Sequence, residues 1–147
     1  MKRTLVSPAA SGRMLGSALL LYALLGASSA TGQEPVPADV VSDVVEAYYE
    51  AAADADMATA KNLTHVDAKL FGARNDKLMQ TPLTLWPARS GVDMASVQIG
   101  IARVVGVSAV VEVTRASGGE TLVEQVSLVR FNGAWRLISI VQGVAGR

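Results

Sequence analysis

The strongest constraint on what this chain can fold into is a hairpin signal near its carboxyl end. Residues 122–140 contain two strand-like segments joined at Asn132-Gly133. Asn-Gly is typical of a two-residue type I′ turn, because both central residues of that turn need a positive φ. So short a loop also determines the register of the two strands. The predicted cross-strand pairs are Arg130 with Trp135, Leu128 with Leu137, and Val126 with Ser139.

Both faces of this predicted hairpin are largely apolar. One face carries Val126, Leu128 and Leu137, and the other carries Phe131, Val129, Ala134, Ile138 and Ile140. A sheet with two apolar faces needs cover on both sides. A helix, a ligand cavity or a second subunit would each provide it.

The first thirty residues have the pattern of a signal peptide. Lys2, Arg3 and Arg13 form a basic segment, residues 14–25 are apolar, and residues 28–30 are small. Twelve apolar residues are too few to cross a bilayer core of about 30 Å as a helix. We therefore predict export to the periplasm or the exterior, with no stable membrane insertion after cleavage.

Residues 31–38, with two prolines, are predicted to be a linker, and residues 39–147 a single domain of ordinary size. Without residues 1–30 the chain carries three more acidic than basic residues, and no basic cluster suggests a nucleic-acid partner. The chain has no cysteine and one histidine, which excludes thiol catalysis and multi-histidine metal sites. We expect neither a metal nor a cofactor.

Two helices are predicted at the start of the domain. Asp39 is placed to cap a helix whose apolar residues recur at helical spacing from Val40 to Ala52. Asp56 is placed to cap a second, short helix over residues 57–63. Next we predict a short strand over 67–71, a helical turn over 75–80, and a connection over 81–91.

The rest of the chain has the alternating pattern of strands. Four long strands are predicted at residues 97–105, 107–115, 121–130 and 134–142. They would form an antiparallel meander behind the two helices. Helices segregated to one side of an antiparallel sheet define the α+β class.

This order of elements, with "R-F-x-G-x-W-R-L" at 130–137, resembles the nuclear transport factor 2-like superfamily. That group includes the ketosteroid-isomerase-like and SnoaL-like proteins, and the similarity covers residues 40–144. The resemblance implies a cone-shaped, cystatin-like fold in which helices pack on a curved antiparallel sheet. It implies little about activity, because one fold hosts many functions.

The isomerase branch of that superfamily supplies a comparison residue by residue. Its helix tyrosine and capping aspartate match Tyr48 and Asp56, and its protonated acid matches Glu124. Tyr48 and Glu124 therefore look like the two hydrogen-bond donors of that enzyme's oxyanion hole. The position of its general base is Gly72 here, and losing a base removes a contribution of roughly 10²–10⁴-fold to proton transfer.

Each candidate residue has two interpretations. Tyr48 is either a pocket hydroxyl or a core aromatic, and Glu124 is either a buried carboxyl or a solvated one near a strand end. His65 with Asp67 resembles the acid/base pair of SnoaL-like cyclases, although a lone histidine here also fits a surface or capping role. Trp86 is either a lid over the mouth of the cone or a plug within it.

The favoured hypothesis is an exported, non-catalytic domain that binds a small apolar or amphipathic molecule in the cone. The predicted lining residues are Tyr48, Glu124, Val126, Leu128, Leu137 and Trp86. One alternative is an isomerase-like or SnoaL-like enzyme acting on a small apolar carbonyl compound. The other alternative is a structural homodimerisation domain. A homodimer is expected under each of these hypotheses.

Overall fold

The computed structural model describes residues 38–74 and 77–146. The predicted signal peptide and nearly all of the predicted linker lie outside the described residues. The helices are α1 (Ala38–Ala53), α2 (Met57–Leu63) and α3 (Pro87–Ser90), with a 3-10 turn at Met94–Ser96. The strands are β1 (Thr64–Arg74), β2 (Lys77–Pro82), β3 (Gln98–Ile99), β4 (Arg103–Val105), β5 (Ser108–Ser117), β6 (Glu120–Phe131) and β7 (Ala134–Val144).

Both predicted N-terminal helices are present. The apolar stripe of α1 is buried, with Val41, Val45 and Tyr48 fully covered. Asp39 lies inside the first turn, not at the cap, and its carboxylate accepts a hydrogen bond from the Val40 amide at 3.0 Å. Asp56 caps α2 as predicted, because its carboxylate accepts from two free amides of the first turn. None of the helices in the described part of the chain is long and apolar enough to span a membrane.

The strands form one curved sheet in the order β2-β1-β7-β6-β5-β3, and β4 also pairs with β5. Every pair is antiparallel except β1 with β7, which run parallel. The sheet is therefore mixed. The predicted α+β class, with helices N-terminal to a curved sheet, is confirmed.

Two local predictions between the helices and the meander are wrong. Residues 77–80 are not helical but belong to β2, which pairs with an eleven-residue β1 longer than the predicted strand at 67–71. Side chains along β2 are mostly exposed, so their pattern carries no period-2 signal, and only pairing with β1 sets their conformation. The short helix α3 lies within the predicted connection 81–91.

The first strand of the predicted meander is broken in two. Between β3 and β4, the Gly100 amide donates to the Glu112 carbonyl at 2.8 Å. A Cβ atom at Gly100 would lie only 3.0 Å from that carbonyl oxygen, so this close approach favours glycine.

The hairpin forms as predicted at its tip and differs farther along. Asn132 and Gly133 have φ values of 51° and 79°, as a type I′ turn requires. Leu128 pairs with Leu137 as predicted, but the register then shifts so that Val126 pairs with Ile140, not with Ser139. Ile138 is the extra residue of a β-bulge.

The bulge reverses which residues of β7 face the helices. Ile140 is fully buried, whereas an unbroken strand would have placed it on the opposite face from Leu137. The core lies between α1 and the concave face, where Val126, Leu128 and Leu137 are at most 1 % exposed. The bulge also places Gln142 opposite Glu124.

Candidate ligand site

A buried ion pair lies on the concave face of the sheet. Glu124, on β6, is fully buried, and Arg115, near the end of β5, is 4 % exposed. The Arg115 Nε lies 3.1 Å and 3.2 Å from the two carboxylate oxygens, and Nη2 lies 2.9 Å from Oε1. This side-on fork is the geometry in which an arginine pairs most strongly with a carboxylate.

Two further side chains complete the coordination of Glu124. The Tyr49 hydroxyl donates to Oε2 at 2.5 Å, and the Gln142 Nε2 donates to Oε1 at 2.7 Å. Arg115, Tyr49 and Gln142 all act as donors, so the carboxylate accepts every hydrogen bond in the cluster. Four elements meet in this cluster, namely α1, β5, β6 and β7.

The oxyanion hole implied by the isomerase resemblance is not reproduced. The Tyr48 hydroxyl donates to the backbone carbonyl of Leu83 at 3.1 Å, so its proton does not point at Glu124. Glu124 accepts hydrogen bonds and does not donate one. The two residues therefore do not form a pair of converging donors.

Burial changes the acidity of both helix tyrosines. Loss of hydration raises the pKa of Tyr48 and of Tyr49 far above the ordinary tyrosine value of 10.0, and the negative charge of Glu124 raises both further. Both side chains remain neutral phenols at physiological pH. They supply hydrogen-bond donors and cannot serve as bases.

Trp86 packs as a plug over the charged cluster. Its ring is 7 % exposed and stacks on Tyr48, with centroids 5.7 Å apart and planes 11° apart. The Arg115 Cζ lies 5.4 Å from the centre of the same ring, a cation–π contact. Trp86 thus joins the aromatic face of α1 to the buried ion pair.

A cavity of about 360 Å³ opens at one end of the concave face, beside this cluster. It is lined by Leu70, Gly72, Ala73, Met79, Leu122, Gln142, Gly143 and Val144. Gly72 and Gln142 are partners across β1 and β7, and Gln142 in turn pairs with Glu124. The side chain of Gln142 thus connects the cavity to the buried carboxylate.

None of the predicted lining residues belongs to the wall of this cavity. Val126, Leu128 and Leu137 are packed in the core under α1, and Glu124 is screened by its donors. Gly72, where the resemblance places the missing base, does line the cavity.

His65 and Asp67 lie apart from the cluster. The His65 Nδ1 accepts a hydrogen bond from the Asp67 amide at 3.2 Å, and the Asp67 carboxylate is 3.8 Å from the same nitrogen. Asp67 is 85 % exposed and His65 packs edge-on against Phe131. In the described part of the chain no three potential metal-ligating side chains of the His, Cys, Asp or Glu type lie together.

Sequence reasoning missed Arg115, Tyr49 and Gln142. Arg115 had a usable signal, because it is in phase with the inward-facing Val111 and Val113 of the same strand. A basic residue at such a position needs a buried acid nearby. Gln142 had no such signal, since only the bulge turns it toward the concave face.

The chain is similar to known proteins in sequence and in fold. The model of a family described as "Putative lumazine-binding" matches residues 37–141. No curated protein shows a significant match to the chain.

Several solved structures share the fold. A nuclear transport factor 2-like protein of unknown function from Silicibacter pomeroyi has a TM-score of 0.63 at 19% identity, over 72% of this chain and 93% of that one. Another from Shewanella baltica has a TM-score of 0.60 at 19% identity, over 74% and 94%. A third, from Novosphingobium aromaticivorans and with a cystatin-like fold, has a TM-score of 0.53 at 14% identity, over 74% and 81%.

The family model covers most of the chain, and these folds agree with the observed curved sheet and N-terminal helices. The chain therefore belongs to the family described as "Putative lumazine-binding", and its fold is the one seen in nuclear transport factor 2-like proteins.

Proposed function

We propose that this domain binds a small, flat molecule carrying an N–H or O–H donor, in the cavity beside Gln142. The cavity itself carries the proposal. Its volume of about 360 Å³ is within the range of small-molecule pockets, and the side chains along its wall are apolar apart from the amide of Gln142.

The orientation of that amide defines what the cavity recognises. A carboxylate oxygen only accepts hydrogen bonds, so the Gln142 group 2.7 Å from Glu124 has to be the NH₂. The amide oxygen is therefore left on the other side, where a Cβ built at Gly72 would lie 3.7 Å from it. An acceptor held in this way selects a ligand that donates.

The family description supports a specific ligand class. Lumazine, the molecule it names, is a bicyclic pteridine with ring N–H donors and carbonyl acceptors. A bicyclic ring of that size suits the cavity volume, and its N–H groups match the Gln142 acceptor. We propose lumazine or a related pteridine as the ligand.

We propose binding without catalysis. Gly72 offers no base, Glu124 is occupied by donors, and Tyr48 donates to the backbone. His65 and Asp67 lie at exposed positions away from the cavity. Among the described residues, these four observations leave no group beside the cavity that is placed to move a proton.

Gly72 offers a direct test. A Cβ there makes only an ordinary van der Waals contact with the Gln142 oxygen, so Gly72→Ala should fold and should weaken binding much less than a large side chain at the same position. Gly72→Leu should also fold, but its side chain fills the cavity. We expect calorimetric titration with lumazine to show at least about tenfold weaker binding to Gly72→Leu, a loss of roughly 1.4 kcal/mol.

Equal affinity of lumazine for Gly72→Leu and Gly72→Ala would place the ligand elsewhere and overturn the site. Absence of binding to the unmodified chain would overturn the ligand class. Thermal melts of both variants provide the folding control, since neither should melt much below the unmodified chain.

Export and homodimerisation are further proposals. Export is supported by the pattern of residues 1–30 alone, and the mass of the mature protein from its host would test it. A homodimer is supported by exposed apolar side chains on the convex side of the sheet, among them Phe131, Ile138 and Val141. Sedimentation equilibrium showing only monomer at micromolar concentration would contradict it.

A further inference from the structure

One buried donor of the central cluster has no partner among the described residues. Arg115 uses Nε and Nη2 to bind Glu124, and its Nη1 is buried without a hydrogen bond. Leaving donors of a charged group unsatisfied in the interior costs free energy, and proteins seldom retain such groups. The described residues supply no acceptor for Nη1, so the arrangement favours an acceptor from outside the chain.

The orphan donor adjoins the proposed ligand site. Arg115 Nη2 and Gln142 Nε2 bind the same oxygen, Glu124 Oε1, at 2.9 Å and 2.7 Å. Arg115 also pairs across the sheet with Leu122, which lines the cavity. The guanidinium is therefore a neighbour of two residues that line the cavity, Gln142 and Leu122, although Arg115 is not itself part of the cavity wall.

We propose that Arg115 recognises a carbonyl or carboxylate oxygen of the ligand through Nη1, while Gln142 accepts a hydrogen bond from an N–H of the same ligand. This inference rests on the proposed function and specifies its substrate class. The ligand then carries an acceptor and a donor a few ångströms apart. Adjacent ring carbonyl and N–H groups have that pattern.

Trp86 has to move for this contact to form. Nη1 is inaccessible in the ligand-free chain, and the ring of Trp86 lies over the guanidinium. Trp86 is held there by stacking on Tyr48, and a flat ligand offers an equivalent stacking surface. Leu85, the residue before Trp86, is 50 % exposed, so the burial of this neighbour does not hold Trp86 in place.

The test compares two pteridines on the unmodified protein. Lumazine carries two ring carbonyl acceptors, and 2,4-diaminopteridine has donor amines in their place. In the same binding pose this analogue presents a donor to Arg115 and a ring-nitrogen acceptor to the Gln142 oxygen, and a site built around a buried donor rejects a ligand that presents a donor at that position. We expect 2,4-diaminopteridine to bind at least about tenfold more weakly, and lumazine alone to shift the tryptophan emission.

Arg115→Lys provides a second readout. Lysine keeps a positive charge opposite Glu124 but lacks the rigid fork that reaches both partners. We expect this variant to lose the preference for lumazine over 2,4-diaminopteridine, with its thermal melt recorded as the folding control. The comparison of the two ligands on the unmodified chain stands even where Arg115→Lys does not fold.

The outcomes distinguish the proposed role of Arg115 from the proposed function of the cavity. Equal binding of both pteridines to the unmodified chain would overturn the role of Arg115 and leave the cavity assignment intact, with Nη1 then satisfied by a buried water. Failure of both pteridines to bind would overturn the proposed function and this inference with it. Tighter binding of lumazine, lost in Arg115→Lys, would support both.

Discussion

Glu124 shows how much a single buried side chain depends on its neighbours. A lone carboxylate in the interior is costly, and here donors from Arg115, Tyr49 and Gln142 compensate for the lost hydration. Such a pair adds little stability compared with apolar residues of the same size. Removing only one partner is expensive, because it leaves a charge buried alone.

The substitution Glu124→Gln tests, at the residue scale, the cost of leaving a charge buried alone. The substitution leaves the Arg115 guanidinium buried without a counter-charge, so we expect the free energy of unfolding to fall by about 3–5 kcal/mol. Urea denaturation followed by circular dichroism measures it. The double variant Arg115→Met with Glu124→Leu should regain most of the lost free energy of unfolding. If Glu124→Gln alone lowers that free energy by less than about 1 kcal/mol, the ion pair is hydrated and this interpretation is wrong.

At the scale of elements, the β-bulge in β7 decides which residues reach the site. Leu137 faces the core before the bulge and Ile140 faces it afterwards, so the inward positions change parity at Ile138. Bulges often redirect side chains near functional sites. Here the bulge turns both Ile140 and Gln142 toward α1, and thereby creates the amide contact with Glu124.

Deleting Ile138 tests whether the extra residue itself is needed. In the shortened strand Leu137 and Ile140 would lie two positions apart, the spacing that keeps residues on one face of a regular strand, so Ile140 and Gln142 would still point toward α1. We therefore expect this variant to fold with the contact of Gln142 to Glu124 retained, and to lose less than about 2 kcal/mol in the free energy of unfolding, below the range of a large-to-small change in a core. The matched control is Ile138→Ala, which keeps the bulge at a 39 % exposed position and should cost less than about 1 kcal/mol.

At the scale of the whole molecule, the two buried tyrosines couple global stability to alkaline pH. Folding raises the pKa of Tyr48 and Tyr49 above the unfolded value of 10.0. Below that pH both states keep the two phenolic protons, so stability is unaffected. Above it the unfolded chain releases protons that the folded chain retains, and unfolding becomes easier.

We therefore expect the free energy of unfolding to fall above pH 10 by about 2.7 kcal/mol per pH unit, the slope for two protons. Urea titrations at several pH values between 9 and about 11.5 measure this slope. Tyr48→Phe should halve the tyrosine contribution while preserving the hydrogen bond of Tyr49 to Glu124. An identical slope in Tyr48→Phe would mean that other groups set the alkaline limit.

The sequence by itself determined the features that depend on near neighbours in the chain. The turn at Asn132-Gly133 follows from local backbone preferences, and the buried stripe of α1 follows from helical spacing. Alternation along β5 and β6 is equally local, and together these patterns were enough for the α+β class. They fail for β2, whose exposed residues have no periodic signal and become a strand only by pairing with β1.

Only the tertiary structure decided the site. Tyr49 and Glu124 are 75 positions apart, and Arg115 meets Glu124 from the neighbouring strand, so no local pattern links them. Which of the two tyrosines donates to Glu124 depends on the rotation of α1 against the sheet. The direction in which Gln142 points depends on the one extra residue of the bulge in β7. The physical reason is that a buried charge is satisfied by whichever donors packing brings within about 3 Å, and packing is a property of the whole fold.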